Sequence, residues 1–419
     1  MRFFLFFFLI LILSCSKDKE ELVDIDAFLK QGKEINYKTK NDLINKNVNQ
    51  IQAFKIYDRA YYKNWPQKYQ NSQNLVIPSN ISIEKKVKSI NGKFHNIVSI
   101  NDKIISIDKN SRIVIYDSNL KKLNSIKIYN RKIYKNYDLK FEIAVDKNSL
   151  FIADNLGNIY SYDLKNLDKL WVSELGVPFK SSIKIYKNQI FIINSNSKIY
   201  SLNKKNGKLN WSFETASKVL KKNNSYQIAA HKDKLYFTND NGEIYCLDLL
   251  NGKILWSLIL EVGNFQDLPA VFQSSPILID KTGIIFFSSN YGFMYAIDSL
   301  SGAIKWSKQL DTYNNIIATK NYLMTIINNR IVILEKKTGR ILFNQNILSS
   351  YKKNKISNFK EFIIGKEKIY IFDLNGNMVS INLNDLSNRE AAKVSKNFRS
   401  YVILKNSVLL LTQNSLIKY

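Results

Sequence analysis

The chain has 419 residues, 62 Lys and Arg against 35 Asp and Glu for a formal charge of +27, 14 Gly, two His and only two Cys, at positions 15 and 246. One cysteine in the leader and one in the body exclude an internal disulfide and a cysteine metal site, so stability has to come from packing, for which this length is ample. Nucleic acid is not an expected partner: lysine accompanies abundant Asn, Ile, Tyr and Phe, as A/T-rich codons would give, and no basic cluster alternates with aromatics as single-strand binders require.

Residues 1–15 read MRFFLFFFLILILSC, one positive charge, an apolar run from Phe3 to Leu13, then Ser14 and Cys15. That run is too short to span a bilayer, and its order is that of a secretory signal. Ile12-Leu13-Ser14-Cys15 resembles a bacterial lipobox, which implies acylation of Cys15 and attachment by lipid; the plainer alternative is an ordinary signal peptide. Ser16, where such lipoproteins can carry Asp, implies the outer membrane. Residues 16–74 are polar and free of any repeat, a tether with helical turns expected around Leu22 to Lys38. The aromatic stretch from Tyr57 to Tyr69, containing Asn64-Trp65-Pro66-Gln67, is expected on the rim of the domain that follows, residues 75–419.

That domain is a repeat. Ser161–Trp171, Ser201–Trp211, Cys246–Trp256, Ala296–Trp306 and Ile333–Phe343 share one pattern, in which the aromatic stands eight residues after an Asp, Asn or Glu. The spacing reads as an apolar strand, a turn and a second strand. Gly207, Gly252, Gly302 and Gly339 supply the positive φ of that turn, and Gly157, Gly242, Gly292 and Gly376 mark a preceding hairpin. The strands before each motif, such as Gln189-Ile-Phe-Ile-Ile193, are apolar at consecutive positions, so both faces have to be covered. Val114, Tyr160, Tyr200, Tyr245, Tyr295, Val332, Val379 and Ile417 are equivalent, at intervals of 46, 40, 45, 50, 37, 47 and 38 residues. That is the period of a four-stranded propeller blade. The fold class is therefore all-β: an eight-bladed β-propeller of four-stranded antiparallel blades, a seven-bladed ring being the alternative if the ends are read differently. The eighth copy stops at Tyr419 after its third strand, so the missing strand is expected from residues near 81–90 at the N-terminal side.

The repeat resembles the tryptophan-docking motif of the pyrroloquinoline-quinone-like propellers, Ala-x-Asp-x-x-Thr-Gly-x-x-x-Trp, which residues 296–306 match almost fully; the resemblance covers roughly residues 64–419. It implies that Trp171, Trp211, Trp256 and Trp306, with Phe343, dock blade onto blade. The superfamily holds both enzymes and scaffolds. A quinone enzyme needs an ion held by carboxylates and a catalytic Asp, and the sequence has no acidic cluster beyond repeat carboxylates that read as turn caps. His95 and His231 lie in no triad motif. No catalytic residue, metal or cofactor is expected.

An exported, lipid-anchored propeller of this length resembles the BamB family of outer-membrane assembly factors. The resemblance implies a monomer within a hetero-complex on the periplasmic face of the outer membrane, whose partner is the barrel-inserting subunit of that machinery. Of the two inter-blade loops by which that family docks, one resembles Val219-Leu220-Lys221, carrying over Leu220 and Lys221, while the acidic pair of the other is absent before Ser274-Ser275-Pro276. The loop there presents Phe265, Asp267, Leu268 and Phe272, which either meet a partner or pack down on the blades. Two alternatives stay open: another ligand- or glycan-binding propeller, and a quinone-dependent dehydrogenase.

Overall fold

The structure is a computed structural model and describes residues 47–129, 138–216, 226–262, 272–347, 359–395, 397–405 and 407–419. They belong to one compact unit, Leu43–Tyr419. The leader, Cys15 and the tether to residue 46 lie outside the described residues.

Runs apolar on both faces build eight antiparallel sheets. Blades 1 to 7 span residues 94–127, 141–174, 184–214, 228–259, 278–309, 317–346 and 359–393, each a meander of four strands; blade 8 takes three from 398–418. Its fourth strand is Lys88–Asn91, pairing antiparallel with Ser415–Lys418 so that Ile90 faces Leu416. The two ends of the domain thus close the ring, as expected, and remove the edge that an incomplete eighth blade would leave. Blade 6 carries a fifth strand that the repeat gave no hint of: Val48–Asn49 pairs with Asn344 and Phe343.

The turns follow the chemistry of the repeat. All eight glycines of the two hairpin sets have positive φ, from 69° at Gly339 to 101° at Gly292. The repeat carboxylates cap these turns: Asp248 Oδ1 accepts from the backbone N–H of Leu250 at 2.9 Å and of Asn251 at 3.0 Å, and Asp298 does the same for Leu300. Each of the four repeat tryptophans lies against the equivalent turn of the next blade, where the glycine leaves room for the indole. A Cβ on Gly252 would stand 2.6 Å from Trp211 Cε3, and one on Gly302 would stand 2.8 Å from Trp256 Cδ2. Three indoles also donate across the blade junction, Trp211 Nε1 to Leu249 O at 3.0 Å, Trp256 to Ser299 O at 3.2 Å and Trp306 to Lys336 O at 3.1 Å. Phe343, with no N–H to place, is buried in one apolar cluster with Leu383 and Leu386 of blade 7, whose turn has no glycine. Gly252→Ala combines an unfavourable φ of +71° with overlap against the indole, so we expect about 2–3 kcal/mol of lost stability in urea titration; an unshifted midpoint would contradict this docking.

The segment expected on the rim lies at the hub instead. Trp65 N–H and O exchange hydrogen bonds with Ser99 of blade 1, and Val145 N–H of blade 2 donates to Pro66 O at 2.8 Å. Gln67 bonds both the N–H and the O of Ile185 in blade 3. Ala230 of blade 4 donates to Ser72 O, Ile279 of blade 5 to Gln73 O, and Lys405 of blade 8 to Tyr62 O; Ser79 donates to Ile364 O of blade 7. Leu75 completes the circuit in the apolar cluster of Ile316 and Ala318 of blade 6. Residues 62–79 are a plug hydrogen-bonded to the innermost strands of seven blades, and the boundary drawn at 74 falls inside it. The reason is backbone accounting: innermost strands expose polar groups toward the axis, and a non-repeating segment satisfies them where the radial repeat cannot.

Candidate docking face and the plugged funnel

The innermost strands run from one face of the ring down to the plug, so their first residues line a funnel above it. Two cavities, about 470 and about 220 Å³, share Tyr69, Asn315 and Glu361 and form that funnel. Its floor is Lys68 and Tyr69, which the plug presents through a tight reversal in which Tyr69 and Gln70 hold φ of 57° and 72°. Glu142 and Glu361 face Lys68 from blades 2 and 7. Burial pushes the Glu142 carboxyl up, against the pull of Lys68 and of its hydrogen bond with Asn96. Glu361 accepts from Asn315 Nδ2 at 2.6 Å.

Beneath the floor stands Lys184, from the innermost strand of blade 3 and 1 % exposed. Its Nζ donates to Lys68 O and Asn71 O at 3.1 Å each and to Asn74 Oδ1 at 2.6 Å, pinning the plug at three points. Burial, with the positive charge of Lys68 second, lowers its pKa to about 7. Lys184 carries no expectation from the sequence, and of the plug only the stretch up to Tyr69 does, as a rim segment. A signal was present: Ser182-Ile-Lys-Ile-Tyr186 places a lysine inside an innermost strand, where hydrophobic residues prevail in other blades.

The chemistry of this arrangement is that of a closed, charge-paired hub. His95 lies in the funnel wall with its ring 5.3 Å from Phe141, its pKa lowered by burial first and Arg399 second, and its buried Nε2 has no hydrogen-bond partner. His231 ends a strand of blade 4 at the opposite side of the plug. Cys246 is buried with its thiol pushed up to about 12 by burial, an inert core position. Among the described residues no three His, Cys, Asp or Glu side chains gather as metal ligands.

Of the residues expected to meet a partner, Leu220, Lys221, Phe265, Asp267 and Leu268 lie outside the described residues. Phe272 is described, and it is 6 % exposed with its ring 4.9 Å from that of Tyr291, packed on blade 5. The first described residues after these two loops, Tyr226 and Phe272, both line the funnel. Asp138, the first described residue after 130–137, lines it too. The funnel mouth is thus the face on which these inter-blade connections end.

A sequence model of the family described as outer membrane protein assembly factor BamB matches residues 101–345, more than half of the chain. No curated protein matches the sequence. Among solved structures, BamB from Moraxella catarrhalis is similar with a TM-score of 0.67 at 13 % identity, over 80 % of this chain and 99 % of that one. Quinohemoprotein alcohol dehydrogenase from Comamonas testosteroni is similar at 0.63 and 10 %, over 86 % and 81 %. The computationally designed Ika8 protein is similar at 0.60 and 10 %, over 80 % and 98 %. At these identities the structural likenesses speak for the propeller fold alone. The extent of the sequence match over the repeat, in a ring of eight closed blades, places the chain in the BamB family of outer membrane protein assembly factors.

Proposed function

We propose that this chain is a non-catalytic docking scaffold of the outer-membrane β-barrel assembly machinery. It is held by a lipidated Cys15 on the periplasmic face of the outer membrane and engages the barrel-inserting subunit as a monomer within a hetero-complex. The observation that carries the reading, beside family membership, is the plug: the hub is occupied by the chain's own residues 62–79, so the ring is a rigid disk whose variable surface is its inter-blade loops.

The dehydrogenase likeness raises the question of a quinone with a divalent cation in the funnel. The residues there do not fit that pair, because Lys68 already sets a positive charge against Glu142 and Glu361 and Tyr69 of the plug forms the floor. Affinity purification from detergent-solubilised envelopes tests the scaffold reading. The wild-type chain is expected to bring down the barrel-inserting subunit, and Leu220→Asp combined with Phe265→Ala to lose it at an unchanged melting temperature. Full retention by the double variant would overturn these loops as the contact.

A further inference from the structure

The outer edge of a blade is an open row of backbone donors and acceptors, which proteins guard with charge or cover. Six of the eight outer strands carry a charged side chain: KLNSIK in blade 1, KLWVSE in blade 2, LNWSFE in blade 3, IKWSKQ in blade 5, REAAK in blade 7 and KSIN in blade 8. Two carry none, ILFNQN of blade 6 and ILWSLI of blade 4. The blade 6 edge is covered, because the chain lays its own Val48–Asn49 along it as a fifth strand. The blade 4 edge, Ile254–Ile259, pairs with no described strand, and Ile254, Leu255 and Ile259 are 49 %, 47 % and 75 % exposed.

We propose that the outer edge of blade 4 is a strand-acceptor site, which takes an extended, uncharged segment of another polypeptide as a fifth strand, as blade 6 takes Val48–Asn49. The backbone of Ile254–Ile259 supplies ladder hydrogen bonds that are blind to sequence. The apolar side chains beside it select uncharged residues, because a charge laid against Leu255 or Ile259 would lose hydration without gaining a partner. A second copy is a poorer occupant: two convex rings meeting through one six-residue strand would bury far less than a stable dimer needs. An extended segment has no such bulk and can follow the whole edge. None of Ile254–Ile259 lines the funnel, so the edge adds a contact to the scaffold apart from it.

The test uses the full chain and, as probe, a short end-capped peptide that alternates valine with threonine, with a proline-interrupted version as control. Hydrogen–deuterium exchange is expected to slow at the amides of Ile254–Ile259 when the alternating peptide is added, and not with the control. Ser257→Lys, which installs the charge that other edges carry, is expected to weaken peptide binding about tenfold or more at an unchanged melting temperature. Ser212→Lys, at the equivalent place on blade 3, is expected to leave it unchanged, since Ser212 pairs with Tyr200 as Ser257 pairs with Tyr245. The proposal is overturned if the blade 4 edge is already protected without peptide, by residues 1–46 or by a second copy. It is equally overturned if Ser257→Lys binds like wild type, or if both lysine variants lose binding alike.

Discussion

Trp256→Ala is expected to lower the free energy of unfolding by about 2–4 kcal/mol, the cost of removing a large, half-buried aromatic from a junction that cannot collapse around the gap. The indole lies on Gly302 of the next blade, tilts against Tyr236 with ring centres 5.9 Å apart, and donates to Ser299 O across the junction. Trp256→Phe should restore most of the packing while giving up that hydrogen bond, a loss nearer 1 kcal/mol. Guanidinium titrations of the two variants separate the contributions. An unchanged midpoint in Trp256→Ala would mean that the aromatic girdle does not join the blades.

The second large effect is at Lys184. Lys184→Ala strands Lys68 O, Asn71 O and Asn74 Oδ1 without their donor inside the hub, and about 3–5 kcal/mol should be lost; Lys184→Met, which keeps the volume, should cost less. A pH signature distinguishes the pin from simple filling. The amine titrates near 7 in the fold and at its ordinary value of 10.5 when unfolded, so between those limits the unfolded chain holds a proton that the folded chain has released. Stability from this group therefore rises with pH across roughly 7 to 10.5 and is level on either side, each tenfold change in proton affinity being worth about 1.4 kcal/mol. The difference between wild type and Lys184→Met, measured by denaturation from neutral pH upward, should grow in favour of wild type. A difference that stays flat would show that Lys184 carries no depressed pKa.

What was legible in the sequence is what repeats. The strand-turn-strand unit could be compared with itself, so the glycine turns, the tryptophan docking positions and the fourth strand of blade 8 near residues 81–90 all followed, the strand being Lys88–Asn91. The plug could not be read in that way. Residues 62–79 occur once, and their hydrogen-bond partners, from Ser99 to Lys405, are spread around the whole ring. Nothing local in Asn64-Trp65-Pro66-Gln67 separates a rim position from a hub position. The fifth strand of blade 6 escaped for the same reason, being two residues, Val48–Asn49, whose place is set by a distant uncharged edge. The funnel residues Glu142 and Glu361 stand in innermost strands, FEIAVD and FKEFII, that also carry Asp146 and Lys360, so their charge marks them only once the axis of the ring is known.

Site-specific photo-crosslinking in intact envelopes bears most directly on the claim that a plugged ring offers its funnel-mouth loops to the assembly machinery. A photoreactive residue at position 220 or 265 is expected to capture the barrel-inserting subunit, whereas one at Tyr57, exposed before the plug begins, is not. Capture of that subunit from Tyr57 with none from 220 or 265 would place the docking surface elsewhere and contradict the account.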